Sequence, residues 1–302
     1  MKNTLLLASC VVLAACSQTN TPPAATKAGT TAPADTAAAP AAAAPAIKLY
    51  AMNCGDLEFA DVDMFADDGS MKGVARTFAD PCFLIRHPAG DLLWDSGVPD
   101  AIADAPEGVR PEAFPVHIMR PKKLVDELAE IGLKPADIEY LSFSHLHFDH
   151  TGNANLFAAS TWIVDADERA AMFSEKARGS DDFANYSALE NAKTVQIDGD
   201  ADFDVFGDGS VTIHQAPGHT PGHTVLLVKL PQSGPMLLTG DMWHLAESRE
   251  KRLVPAFNFN REQTLASMDK VEALAKATGA RVVRQHVAED FAAMPAFPKP
   301  LE

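Results

Sequence analysis

The sequence predicts an α/β domain over residues 47–302, with two β-sheets packed face to face and helices on the outside. Three observations lead there. Apolar stretches of strand length come in runs, at 48–52, 81–87 and 92–95 and again at 211–215, 225–230 and 236–239. Segments with helical periodicity, 122–131 and 261–277, lie between or after those runs. Apolar residues make up 47% of the 302, enough for a sizeable core.

Residues 1–16 stand apart from that domain. Lys2 supplies a short positive start, residues 5–13 are apolar, and Leu13-Ala14-Ala15-Cys16 closes the stretch. It is too short to span a bilayer and reads as an export signal. Its ending resembles the lipobox of bacterial lipoproteins. That resemblance implies cleavage before Cys16, lipid on the Cys16 thiol, and, with Ser17 following, an outer membrane anchor facing the periplasm. Residues 17–46 are almost all Ala, Pro and Thr. Prolines such as Pro22, Pro33 and Pro40 break any alanine helix, and there is little to bury. The stretch reads as a disordered tether between anchor and domain.

Within the domain, a turn at 88–91 joins the second and third strands. The periodicity of Leu124, Val125, Leu128 and Ile131 predicts a helix that Gly132 stops. Strands follow at 138–144 and 162–164, the second leading into a short helix. The helix over 261–277 ends before Gly279, and a last strand over 281–284 precedes His286. Cys54 and Cys82 fall in predicted strands. In an oxidising compartment they could pair, but the reading the residues favour is two buried free thiols.

A formal charge of −16 argues against nucleic acid, whose phosphates need Lys and Arg. It argues equally against adsorption on anionic lipid. Any membrane attachment is therefore assigned to Cys16 alone, and the expected partner is a small, neutral or weakly polar molecule.

The chemistry concentrates after the strand at 138–144. His145, His147, Asp149 and His150 supply four potential ligands within six residues. Such groups are costly to bury without partners. In extended chain His145 and His147 point the same way and can grip one cation through neutral imidazoles. Asp149 and His150 can face a neighbouring cation. Three further residues share the setting. His219 sits in a Gly- and Pro-rich turn after a strand, and Asp241 and His286 each follow a strand end. Loops at strand ends on one edge of a sandwich can converge on a site. His87, His117 and His214 lack partner spacing and read as structural or exposed. His223 is weighed the same way.

The order His-x-His-x-Asp-His, then Gly-His, Gly-Asp and a late His, resembles the ligand order of the metallo-β-lactamase superfamily. The resemblance runs from about residue 47 to the end. It implies the αββα sandwich, with His145, His147 and His219 on one metal, Asp149, His150 and His286 on a second, and Asp241 bridging. The absence of Cys at 241 separates the chain from many lactam-hydrolysing members, and His147 separates it from flavin-linked diiron members. Stretches 83–90, 93–97, 144–155, 217–223, 239–244 and 257–260 resemble the N-acyl homoserine lactonases more closely. Those enzymes commonly carry tyrosine three residues after the bridging aspartate; here that residue is His244.

The reaction implied is hydrolytic opening of the lactone ring of N-acyl homoserine lactones, which quenches quorum signals. A metal-bridging hydroxide attacks the carbonyl, Asp149 moves a proton, and His244 donates to the lactone oxygen or the leaving alkoxide. Nitrogen and carboxylate ligands without Cys suit Zn2+, with Fe, Mn or Co as alternatives. Asp95 is a candidate to orient a ligand imidazole. Phe148, Met242 and Trp243 are candidates to line an acyl pocket, and residues 99–121 to lie over the site. Two alternatives remain: hydrolysis of other esters or phosphotriesters at the same site, and a non-catalytic metal-binding lipoprotein.

Overall fold

The computed structural model describes residues 46–302. The expected signal, the lipidated Cys16 and the tether through residue 45 lie outside the described residues. Among the described residues twelve strands form two sheets. They are β1 (Lys48–Phe59), β2 (Arg76–His87), β3 (Gly90–Trp94), β4 (His117–Met119), β5 (Tyr140–Ser142), β6 (Thr161–Asp165), β7 (Thr194–Ile197), β8 (Phe203–Asp204), β9 (Val211–Gln215), β10 (Thr224–Leu230), β11 (Gly234–Leu238) and β12 (Arg281–Val283). The first sheet has the order β4-β1-β2-β3-β5-β6-β7 and the second β12-β11-β10-β9-β8.

Strand alternation builds the layers. Successive side chains point to opposite faces, so Phe83 and Ile85 of β2 join Leu226 and Val228 of β10 in the cluster between the sheets. Their neighbours Cys82 and Leu84 face outward, against Leu124 and Leu128 of the helix Leu124–Glu130. On the far side, Val225 and Leu227 pack on Met268, Val271 and Ala275 of the helix Arg261–Thr278. Helix, sheet, sheet and helix follow in sequence, as expected. The helix Arg261–Thr278 begins where Asn260 Oδ1 accepts the Gln263 N–H at 3.1 Å and ends at Gly279, in the left-handed region at φ 66°.

The structure differs from the expectation in several places. β1 and β2 run longer, because pairing resumes from Asp56 with Ala79 beyond a register shift between Asn53 and Asp56. The ladder of β5 covers only Tyr140–Ser142, and the chain then leaves the sheet to build the histidine segment. β4, β7 and β8 are two to four residues long, too short to show a pattern. The reading of Cys54 and Cys82 as free thiols is wrong: they form a disulfide between β1 and β2, with Cα atoms 5.7 Å apart. Cys54 lies in the register shift of β1, while the ladder partner of Cys82 is Met52, and that irregularity has no sequence signature.

Candidate active site

All seven predicted ligands meet at one end of the sandwich. β5 leads through Phe143 and Ser144 to His145 and His147, and the short helix Phe148–Thr151 then carries Asp149 and His150. His219 comes from the turn between β9 and β10, Asp241 from the turn after β11, and His286 from the chain after β12. The described residues form two groups of side chains able to hold an ion. One is His145, His147, His219 and Asp241; the other is Asp149, His150 and His286.

In the first group, His145 Nε2 lies 2.7 Å from His147 Nδ1, and His219 Nε2 lies 3.2 and 3.1 Å from those two nitrogens. Asp241 Oδ2 is 3.5 Å from His145 Nε2 and 3.4 Å from His219 Nε2. In the second, Asp149 Oδ2 is 3.6 Å from His286 Nε2. The other Asp241 oxygen, Oδ1, lies 3.0 Å from His286 Nε2 and 3.2 Å from His150 Nε2. One carboxylate therefore gives an oxygen to each group.

Buried neighbours fix these rings. Asp95 is held at φ 58°, where its Oδ1 accepts the Ser144 N–H at 2.7 Å and its Oδ2 lies 3.1 Å from His150 Nδ1. Asp95 is thus placed, as expected, to orient the ring of the predicted ligand His150. His286 Nδ1 donates to the Ala79 carbonyl at 2.9 Å, leaving Nε2 facing Asp241. His223 stands outside both groups; its Nε2 accepts the Asp241 N–H at 3.1 Å, and burial pushes its pKa down to about 3. It is a neutral ring that seats the Asp241 turn.

Burial, reinforced by His150, drives His145 well below the ordinary histidine range; burial and His219 do the same to His147. Both are neutral, the state in which imidazole binds metal. Burial opposes ionisation of Asp241, but the charges of His286 and His150 hold its carboxyl well below the usual range. His150 Nε2 and Asp241 Oδ1 are buried and lack hydrogen-bond partners. Unpaired groups of this kind are costly, and a cation between them removes the cost. The residues present therefore fit a pair of divalent metals.

The metal groups open into a cavity of about 570 Å³. His147, Asp149, Asp241, His244 and His286 lie on its floor, Phe59, Phe65, Phe78, Phe148 and Phe257 form apolar walls, and Asp181 and Asp182 also line it. Phe148 has the expected place. Met242 and Trp243 do not: both are buried in the layer under the helix Arg261–Thr278, because the turn after β11 directs them inward. Pro111 and Phe114 bring part of the 99–121 stretch over the cavity, as expected. Phe59, Phe65 and Phe78 sit on β1, β2 and the segment between them, far from the ligands in sequence, and escape sequence reading. His87, His117 and His214 pair instead with Asp208, Glu58 and Asp202, at 3.0, 2.7 and 2.8 Å.

Residues 76–286 match the metallo-beta-lactamase superfamily. The chain belongs to that superfamily. Among curated relatives, the N-acyl homoserine lactonase AttM of Azorhizobium caulinodans is 33% identical over 264 residues, covering 84% of this chain and 97% of the relative. AttM of Agrobacterium fabrum is 32% identical over 252 residues, covering 80% and 93%. Among solved structures, an N-acyl homoserine lactone hydrolase with the product N-hexanoyl-L-homoserine bound at its catalytic metal center superimposes with a TM-score of 0.70. That match has 26% identity and covers 84% of this chain and 98% of the other. The superfamily fold expected from the resemblance is thus the one observed.

Proposed function

We propose that this protein is a metal-dependent hydrolase that opens the lactone ring of N-acyl homoserine lactones. The single observation that carries the reading is Asp241, whose two oxygens face two separate ligand groups at the floor of an apolar cavity. The lactonase relatives, matched over nearly their whole length, support it.

His145, His147 and His219 would hold one divalent cation, Asp149, His150 and His286 the other, with Asp241 shared. Zinc suits this donor set, with iron, manganese or cobalt as alternatives. Bound there, the cations supply Lewis acidity toward the carbonyl and lower the pKa of water. The phenylalanine walls take the acyl chain and exclude bulk water. Asp149 is placed to carry a proton from the attacking water to the ring oxygen as its bond to the carbonyl carbon breaks. His244 Nε2–H, held on Asp241 Oδ2 at 3.0 Å, would turn to the substrate's developing negative charge once that oxygen is taken up by a metal. Water is consumed, and the product is an acyl homoserine carrying a free carboxylate and a hydroxyl.

We also propose that the chain is exported and held by a lipidated Cys16, with residues 17–46 as tether. The Leu-Ala-Ala-Cys ending supports this, and so does the Cys54–Cys82 disulfide, since such bonds persist in oxidising compartments. Globomycin-sensitive processing and palmitate labelling lost in Cys16→Ala test it. The activity is tested by a panel of acyl homoserine lactones, with paraoxon and a β-lactam beside them and ring opening followed directly. Turnover of the lactones is expected. Inert lactones together with phosphotriester turnover would overturn the assignment.

A further inference from the structure

We propose that Glu168 is a positioning residue that joins the two loops of the three-histidine group and sets the geometry in which they hold a metal. The inference rests on reading that group as a metal site. Glu168 lies on the helix Ala166–Met172, which follows β6, and is 3% exposed. Its place, three residues after the N-cap Asp165, is where a capping glutamate normally folds back on its own helix. Here the side chain reaches outward instead. Oε1 accepts the N–H of Leu146 at 2.7 Å, and Oε2 accepts the N–H of Gly222 at 2.8 Å. Leu146 stands between His145 and His147, and Gly222 closes the turn that carries His219. One carboxylate thus takes hold of both loops, one oxygen to each.

The approach is close enough to demand glycine. A Cβ on Gly222 would lie 1.9 Å from Asp165 Oδ1 and 2.6 Å from the Glu168 nitrogen. Asp165 in turn holds the corner by accepting the N–H groups of Asp167 and Glu168 at 2.8 and 3.0 Å. The chain from β6 into its helix is therefore fixed before it touches either loop. Burial pushes the Glu168 carboxyl up to about 7. A buried, ionisable side chain is a costly way to tie two backbone groups unless their relative position matters. What depends on that position is the mutual spacing of His145 Nε2, His147 Nδ1 and His219 Nε2. His150 and His286 have other supports, in Asp95 and the Ala79 carbonyl.

Glu168→Gln separates the roles. The amide keeps the shape but has one acceptor oxygen, so its NH2 must face one of the two N–H donors. Metal-free wild type and variant are titrated with zinc, and metal content and histidine ring resonances are followed. Wild type is expected to take two equivalents. The variant is expected to bind the first at His150 and His286 with unchanged affinity and the second, at His145 and His219, 10–100-fold more weakly, as is typical when a partner of a ligand is lost. Two equivalents at wild-type affinity in the variant would overturn the role of Glu168 and leave the proposed function intact. A wild type that binds no zinc would overturn both. If Glu168→Gln does not fold, amide hydrogen exchange in metal-free wild type decides. Protection of Leu146 and Gly222 comparable to Leu226 in β10 supports the clamp, and exchange at open-loop rates contradicts it.

Discussion

His244 Nε2 lies 3.0 Å from Asp241 Oδ2, so the residue that stands where lactonases commonly carry tyrosine touches the carboxylate shared by both ligand groups. The ring also packs against Phe65 and His286, with centroids 5.1 and 5.7 Å away. It is held in place and lines the cavity. Burial pushes its pKa down to about 4, so the ring is neutral and carries one N–H.

His244→Ala is expected to lower kcat on the order of 10²-fold, the usual loss when one donor to a developing oxyanion is removed. Metal content should stay at two equivalents. His244→Tyr should recover part of the rate. Steady-state kinetics with metal analysis checks both; an Ala variant with wild-type kcat would remove His244 from the chemistry.

Asp95→Asn tests the support of the second group. Asparagine tolerates the positive φ of this position and keeps the side-chain shape, but it loses the charge facing His150 Nδ1. Metal affinity at the His150 site is expected to fall about 10–100-fold. Chelator competition reads it, with circular dichroism confirming an unchanged fold.

The Cys54–Cys82 disulfide closes a loop of sequence separation 28. By chain entropy it stabilises the fold by about 3–4 kcal/mol. The double substitution to alanine, or mild reduction, should lower the denaturation midpoint accordingly. An unchanged midpoint would mean that the fold gains nothing from the bond.

Legibility followed distance along the chain. His145, His147, Asp149 and His150 could be read because four ligands lie within six residues at a strand end, and His219, Asp241 and His286 because each follows a strand. Asp95 was readable from its strand-end position. Glu168 was not, since a lone glutamate on a short helix carries no pattern and its partners are backbone N–H groups far off in sequence. Phe59, Phe65 and Phe78 resemble ordinary core aromatics until the fold sets them around one cavity. Met242 and Trp243 show the reverse error: adjacency to Asp241 in sequence does not put them in the cavity.

Glu127 gives a pH prediction away from the metals. Burial raises its carboxyl from the ordinary 4.5 to about 7, against the pull of Arg120. The folded value lies above the unfolded one, so stability is full below pH 4.5 and is lost as pH rises toward 7. Glu127→Gln should escape that loss. The difference in unfolding free energy between variant and wild type should grow over this window, by at most about 3 kcal/mol. Urea melts at pH 4.5 and 7.5 measure it, and an equal difference at both would refute it.

The most direct measurement is a zinc titration of metal-free protein while the ring opening of an N-acyl homoserine lactone is followed. Activity should rise in step with two equivalents of zinc, and Asp241→Asn should fail to reach it at any ratio. Full turnover without added metal, or an Asp241→Asn variant as active as wild type, would contradict a shared carboxylate between two metals as the basis of the chemistry.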